Sequence, residues 1–131
     1  MGSKTDYLEN KLLDHTVRNT LYTQAATVYT ALFTATPSDA GGGTEVTQAT
    51  SGYTRQATAF ITAASGSTNN SGAITFATAG GSGYGAVTHW ALFDAGTSGN
   101  MLYWSTLTAT VTINAGDQAV FATGGIVISE D

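Results

Sequence analysis

The spacing of apolar residues changes near Tyr22. Before it, Leu8, Leu12, Leu13 and Val17 recur at intervals of one to four residues, drawing a stripe along a helix expected from Thr5 to about Asn19. Asp6 reads as its N-cap with Glu9 returning to the cap, and Arg18 falls in the last turn, where the helix dipole favours a cation. A helix of roughly fifteen residues is marginal alone. Its stripe therefore needs a partner, either the rest of the chain or a neighbouring subunit.

After Tyr22 the period falls towards two. Val28 to Thr34 partly alternates apolar and hydroxyl side chains and ends at Pro37-Ser38-Asp39 and the run Gly41 to Gly43, which predicts a strand followed by a long loop. Shorter strands are expected at about Tyr53 to Ile61 and Gly72 to Phe76, separated by a Ser, Gly and Asn stretch from Ser65 to Asn70 that reads as unable to build core. Val87 to Phe93 and Met101 to Ser105 flank a turn with Gly96 and Gly99 and read as antiparallel neighbours. Two further strands are expected near Ala109 to Ile113 and Ala119 to Ile128, joined by Asn114 to Asp117. The fold expected is mainly β: an antiparallel β-sandwich or small barrel of seven to eight half-buried strands with an N-terminal amphipathic helix. Residues 1–22 are its helical arm and 23–131 its β-sandwich domain.

Composition narrows the function. Three of the four basic residues, Lys4, Lys11 and Arg18, lie in the arm, leaving Arg55 alone in the body. The formal charge of -5 argues against nucleic-acid binding, which needs clustered cations to neutralise phosphates. Charged residues are only 10% of the chain, so Thr, Ser, Asn and Gln must wet the surface, and a surface so poor in charge resists association weakly. There is no cysteine, hence no disulfide and no thiolate chemistry. No stretch approaches the roughly twenty apolar residues of a membrane span, and the N-terminus lacks the pattern of a signal peptide. The expectation is a soluble protein made in the cytoplasm, without a membrane partner.

Candidate chemistry is thin. His15 lies on the charged helix and reads as solvated. His89 stands five residues before Asp94, but no nucleophile elbow or oxyanion context accompanies the pair. Asp39, Glu45, Asp94, Asp117, Glu130 and Asp131 are scattered over turns without calcium-loop spacing and read mostly as turn formers. Gly80 to Gly85 lacks the ending of a phosphate loop and reads as a flexible connection. Asn69-Asn70-Ser71 matches a glycosylation pattern by coincidence. Tyr29, Phe33, Trp90, Phe93, Tyr103, Trp104 and Phe121 read as core, with Trp90 and Trp104 as interface candidates if either faces outward. No enzyme, cofactor or metal ion is expected. The candidate interface is Leu8, Leu12, Leu13, Val17, Arg18, Trp90 and Trp104.

The segments ENKLLDHTVRNT, VYTALFTATPSDAGGGTEV, YTRQATAF and VTHWALFDAGTSGNMLYW, followed by INAGD, resemble a family of small tailed-bacteriophage virion structural proteins, described as tail-fibre-like, minor tail or head decoration (cement) proteins. The resemblance runs from about Tyr7 to the last strand and carries no catalytic residues. It implies a place in the virion, on the capsid surface or the tail. The leading form is a capsid decoration protein that binds the major capsid protein or other virion proteins as a homo-oligomer, for instance a trimer. The alternative is a tail-fibre or minor tail module that binds a host receptor or glycan.

Overall fold

A computed structural model describes residues 3–130, and Asp131 lies outside the described residues. In chain order its elements are β1 (Ser3–Lys4), α1 (Asp6–Val17), β2 (Val28–Ala35), β3 (Thr44–Glu45), α2 (Gln48–Ser51), β4 (Gln56–Thr58), β5 (Ser67–Asn69), β6 (Ile74–Thr75), β7 (Gly85–Phe93), β8 (Met101–Ile113), β9 (Val120–Phe121) and β10 (Val127–Ser129). Six strands form one antiparallel sheet in the order β1-β8-β7-β2-β3, with β4 also paired to β2. Two small ladders, β5 with β10 and β6 with β9, complete the structure. The protein is mainly β with an N-terminal helix, as expected. Its large sheet stays open, so the barrel form is not adopted. Ten strands among the described residues exceed the seven or eight expected, because the short β1, β3 and β5 are additional and the strand expected from Ala119 to Ile128 divides into β9 and β10.

The middle of the sheet is buried on both faces, unlike the half-buried strands expected. Thr30 to Phe33 and His89 to Phe93 are each buried without interruption. Such unbroken burial marks strands covered on two sides. On one face Leu32, Trp90 and Leu92 pack with Tyr53, Phe76, Ile126 and Ile128, so loops and ladders form the second layer of a sandwich. On the other, Ala31, Phe33, Ala91, Phe93 and Met101 form a smaller cluster under Trp104, in which Phe33 and Phe93 stack at 6.2 Å. Alternation survives inside each strand, but it sorts residues between two cores.

Segments expected to be plain connections carry core. Asn70 is fully buried: its Nδ2 donates to Gly72 O at 2.8 Å and Ala122 O at 2.9 Å, and its Oδ1 accepts from Ile126 N at 2.8 Å. Asn70 thus brings the end of the Ser65 to Asn70 stretch, expected to lie outside the core, into the interior. Tyr84 is also buried and donates to Ala77 O, so the Gly80 to Gly85 run is anchored and not a loose tether. At Gly83 a Cβ would lie 2.5 Å from Ile113 O, and φ is +82°, which together require glycine.

β8 runs unbroken through the two strands expected at Met101 to Ser105 and Ala109 to Ile113. Between them its register against β7 slips: Val87 pairs with Val111 and His89 with Thr106, so Thr88 alone faces Leu107 to Thr110. The break read in the sequence is an enlarged bulge, with four residues facing one.

Arg55 ties the two layers together. Its Nε and Nη2 donate to the two oxygens of Glu45 at 2.9 and 2.8 Å, and its Nη1 donates to Ala95 O at 2.9 Å and Ser98 O at 2.7 Å. The guanidinium lies 3.6 Å from the centre of the Phe93 ring. Glu45 also accepts from the Tyr53 hydroxyl at 2.7 Å, and that hydroxyl accepts from Leu32 N at 3.1 Å. Burial, with Glu45 alongside, pushes the Tyr53 hydroxyl well above its usual pKa, so it remains a donor. Removing one member of a buried ion pair strands the other. Arg55→Ala is therefore expected to lower unfolding free energy by about 3 to 5 kcal/mol. Arg55→Lys should recover only a minor part, since an ammonium cannot reproduce the bidentate contact and the stacking. Urea unfolding of the three proteins measures both differences.

Candidate functional site

The arm is rooted before its helix begins. Ser3 and Lys4 pair with Trp104 and Tyr103 of β8, and Lys4 Nζ meets Glu130 Oε1 at 2.9 Å. Glu130 Oε1 also accepts from the Tyr103 hydroxyl at 3.3 Å. Burial first, and Glu130 second, push that phenol up to about 12. Thr5, which is 1% exposed, donates to Met101 O at 2.6 Å, and its oxygen accepts from Leu8 N at 3.4 Å. The N-cap is thus Thr5, not Asp6 as expected, and the reciprocal role given to Glu9 lapses with the shift of one residue. Asp6 sits inside the first turn, where its charge still suits the dipole.

The expected stripe divides along the helix. Leu8 is 5% exposed and anchors the first turn, and Leu12 is half-buried. Leu13 is 57% exposed, Val17 74% and, just past the helix, Leu21 78%. Leu13 and Val17, one helical turn apart, form an apolar row that the chain does not cover, and Leu21 adds an exposed aliphatic beyond the helix end. Arg18 is exposed beside it and pairs with Asp14 at 2.8 Å, while Asn19, at φ 55°, turns the chain out of the helix. His15 Nδ1 then accepts from Tyr22 N at 3.2 Å, holding the return towards the sheet.

The two tryptophans separate. Trp90 is 5% exposed within the larger core, so it is not an interface residue: its position on β7 faces the sandwich interior. Trp104 is half-buried over the smaller core and donates from Nε1 to Asp39 Oδ1 at 3.2 Å. That contact, with Asp6 N donating to Asp39 O at 2.8 Å, pins the loop after β2 against the arm's root.

The residues considered for catalysis are placed apart in role. His89 is buried, and burial lowers its pKa. Its Nδ1 is 2.7 Å from the Thr88 hydroxyl. Asp94 uses both carboxylate oxygens to close the β7–β8 loop, accepting from Asn100 N at 2.7 Å and Asn100 Nδ2 at 2.8 Å. Asp117 Oδ2 accepts from Asn114 N at 2.9 Å as a turn former. Glu45 and Glu130, grouped with the turn formers, instead serve ion pairs between distant segments. Among the described residues no group of three or more His, Asp and Glu side chains could hold a metal ion.

Sequence reasoning missed one exposed apolar surface. A groove of about 280 Å³ lies near the Ile113 end of β8, lined by Leu107, Val111, Val120 and Phe121 among others. Val111 is 47% exposed and Val120 55%. The signal was present as valines on both sides of the Asn114 to Asp117 turn, but strands read as a sandwich assign such residues to core.

Two predictions follow from the arm's division into root and row. Leu8→Ala should destabilise the fold by about 2 to 4 kcal/mol, whereas Val17→Gln should leave thermal unfolding within about 0.5 kcal/mol of the parent. The Tyr103 phenol is held above its unfolded value near 10, so the folded state keeps a proton that the unfolded state releases. That stabilisation is complete below pH 10 and is lost as pH rises towards 12. Tyr103→Phe should accordingly show a shallower fall of melting temperature over this window than the parent.

No curated protein matches the chain. A family model, described as podophage GP4 fiber I protein gp80, matches residues 3–129. The match takes in the paired root, the helix, the whole sheet and both ladders, so the chain belongs to this family of phage virion structural proteins.

Proposed function

We propose that the protein is a non-enzymatic structural subunit of a phage fibre, joined to neighbouring virion proteins through the uncovered row Leu13, Val17 and Leu21. The observation that carries this reading is the contrast within one helix. Its first turn is fixed to β8 by backbone pairing, a buried cap and an ion pair, while its last turn presents aliphatic side chains to solvent. A rigid root with an apolar tip is suited to holding a neighbour at a set angle. Single exposed aliphatics need no explanation, but Leu13 and Val17 lie one turn apart on the same face of an anchored helix.

The family's description as a fiber protein supports the fibre over the capsid-decoration form expected from the sequence. The non-enzymatic part rests on the engaged state of His89, Asp94 and His15. A charge-poor body favours close packing in the virion, because few ions need be stripped of water at a contact. Repetition around a symmetric particle would multiply a modest contact of this kind.

Electron microscopy of purified virions labelled with an antibody to the chain tests the assignment. Label is expected on fibres at the tail. Label spread evenly over the head would replace the fibre with capsid decoration, and particles without label would remove both.

A further inference from the structure

Beyond an attachment surface of unspecified partner, two apolar features of the chain fit each other. We propose that the helix row of one copy docks into the groove at the far end of β8 on the next copy, so that chains join head to tail. This names the partner of the helix row and rests on the reading that the row is a contact surface.

The first support is position. β1 runs antiparallel to β8 and delivers the helix at the Met101 end of that strand. The groove lies at the other end, under Val111 and Ile113. In the folded chain Leu13, Val17 and Leu21 are exposed, and so are Val111 and Val120 of the groove, so a chain does not fill its own groove with its own row. A second copy can.

The second support is chemical match. The groove's lining, Val87, Leu107, Val111, Ile113, Val120 and Phe121 with Leu32, Gln118 and Ala119, contains no ionisable group. The row is likewise aliphatic, and the charges beside it cancel, since Arg18 is paired with Asp14. Neither surface would bury an unpaired charge on meeting the other. Access is open as well: β1 covers β8 only at Tyr103 and Trp104, and from Thr106 to Ile113 the outer edge has no strand partner among the described residues. A knob at one end and a hole at the other define a heterologous contact, which propagates from copy to copy.

The row is small beside the roughly 800 Å² per partner of a standard interface, so one contact is weak and is best trapped covalently. The absence of cysteine makes this direct. In the full chain, Val17→Cys marks the row, Val120→Cys the groove, and Thr97→Cys an exposed control site. With a short bismaleimide, the Val17→Cys and Val120→Cys double variant should give a ladder of dimers, trimers and longer species. The two single variants mixed should give one heterodimer band at least fivefold stronger than either alone or the control mixed with either. Circular dichroism confirms that each variant keeps the parent fold. If Val17→Cys alone cross-links as well as the mixture, the helices pair symmetrically and the proposal falls. If the mixture does no better than the control, the row and groove do not meet and it falls too. Both readouts use purified protein, so they stand apart from where the antibody label lies on the virion.

Discussion

The sandwich depends on how one cation is neutralised. Arg55 is the sole basic residue after Arg18, and its side chain is almost entirely removed from water. Two carboxylate oxygens and two backbone carbonyls satisfy it, and an aromatic ring takes its face. These partners come from β3, the β7–β8 loop and the end of β7, so the desolvation cost of a single charge is met only when all three are in place. The sheet, the layer bearing Tyr53 and the loop beside the arm's root are thus held to one geometry. In a chain with so few charges, no second pair could take over that role.

The same economy explains the arm. Lys4, Arg18 and Arg55 each meet a carboxylate within the chain, and Lys11 lies 5.8 Å from the centre of the Tyr7 ring. The cations of the charged front are therefore engaged within the chain. Its charges fix the helix to the body and neutralise its end, which leaves the aliphatic side chains as the features that face outward. Leu8 and Leu13 look alike in the sequence and differ only in which turn the root reaches.

What the sequence made legible follows physical range. The helix, β2, β7 and the β7–β8 hairpin are written in local periodicity and turn residues, and they appear nearly where expected. β1 and β3 are set by distant partners, as with Ser3 and Lys4 on β8, and leave no local trace. Trp90 was an interface candidate because a large aromatic beside polar neighbours reads either way; only the second layer over β7 decides. Asn70 carries the opposite lesson. A polar residue in a Ser and Gly stretch reads as surface, yet three hydrogen bonds to remote backbone bring it to the centre. Of the candidate surface, Leu13 and Val17 were legible and the groove was not, since its walls belong to strands distant in sequence.

Row and groove both lack ions, and this would give a joint between them a particular physical character. Ionic strength has no charge to screen there, so passage from dilute water to brine leaves such a contact intact. Apolar burial instead weakens on cooling. Temperature, not salt, is the variable that would loosen a joint made in this way.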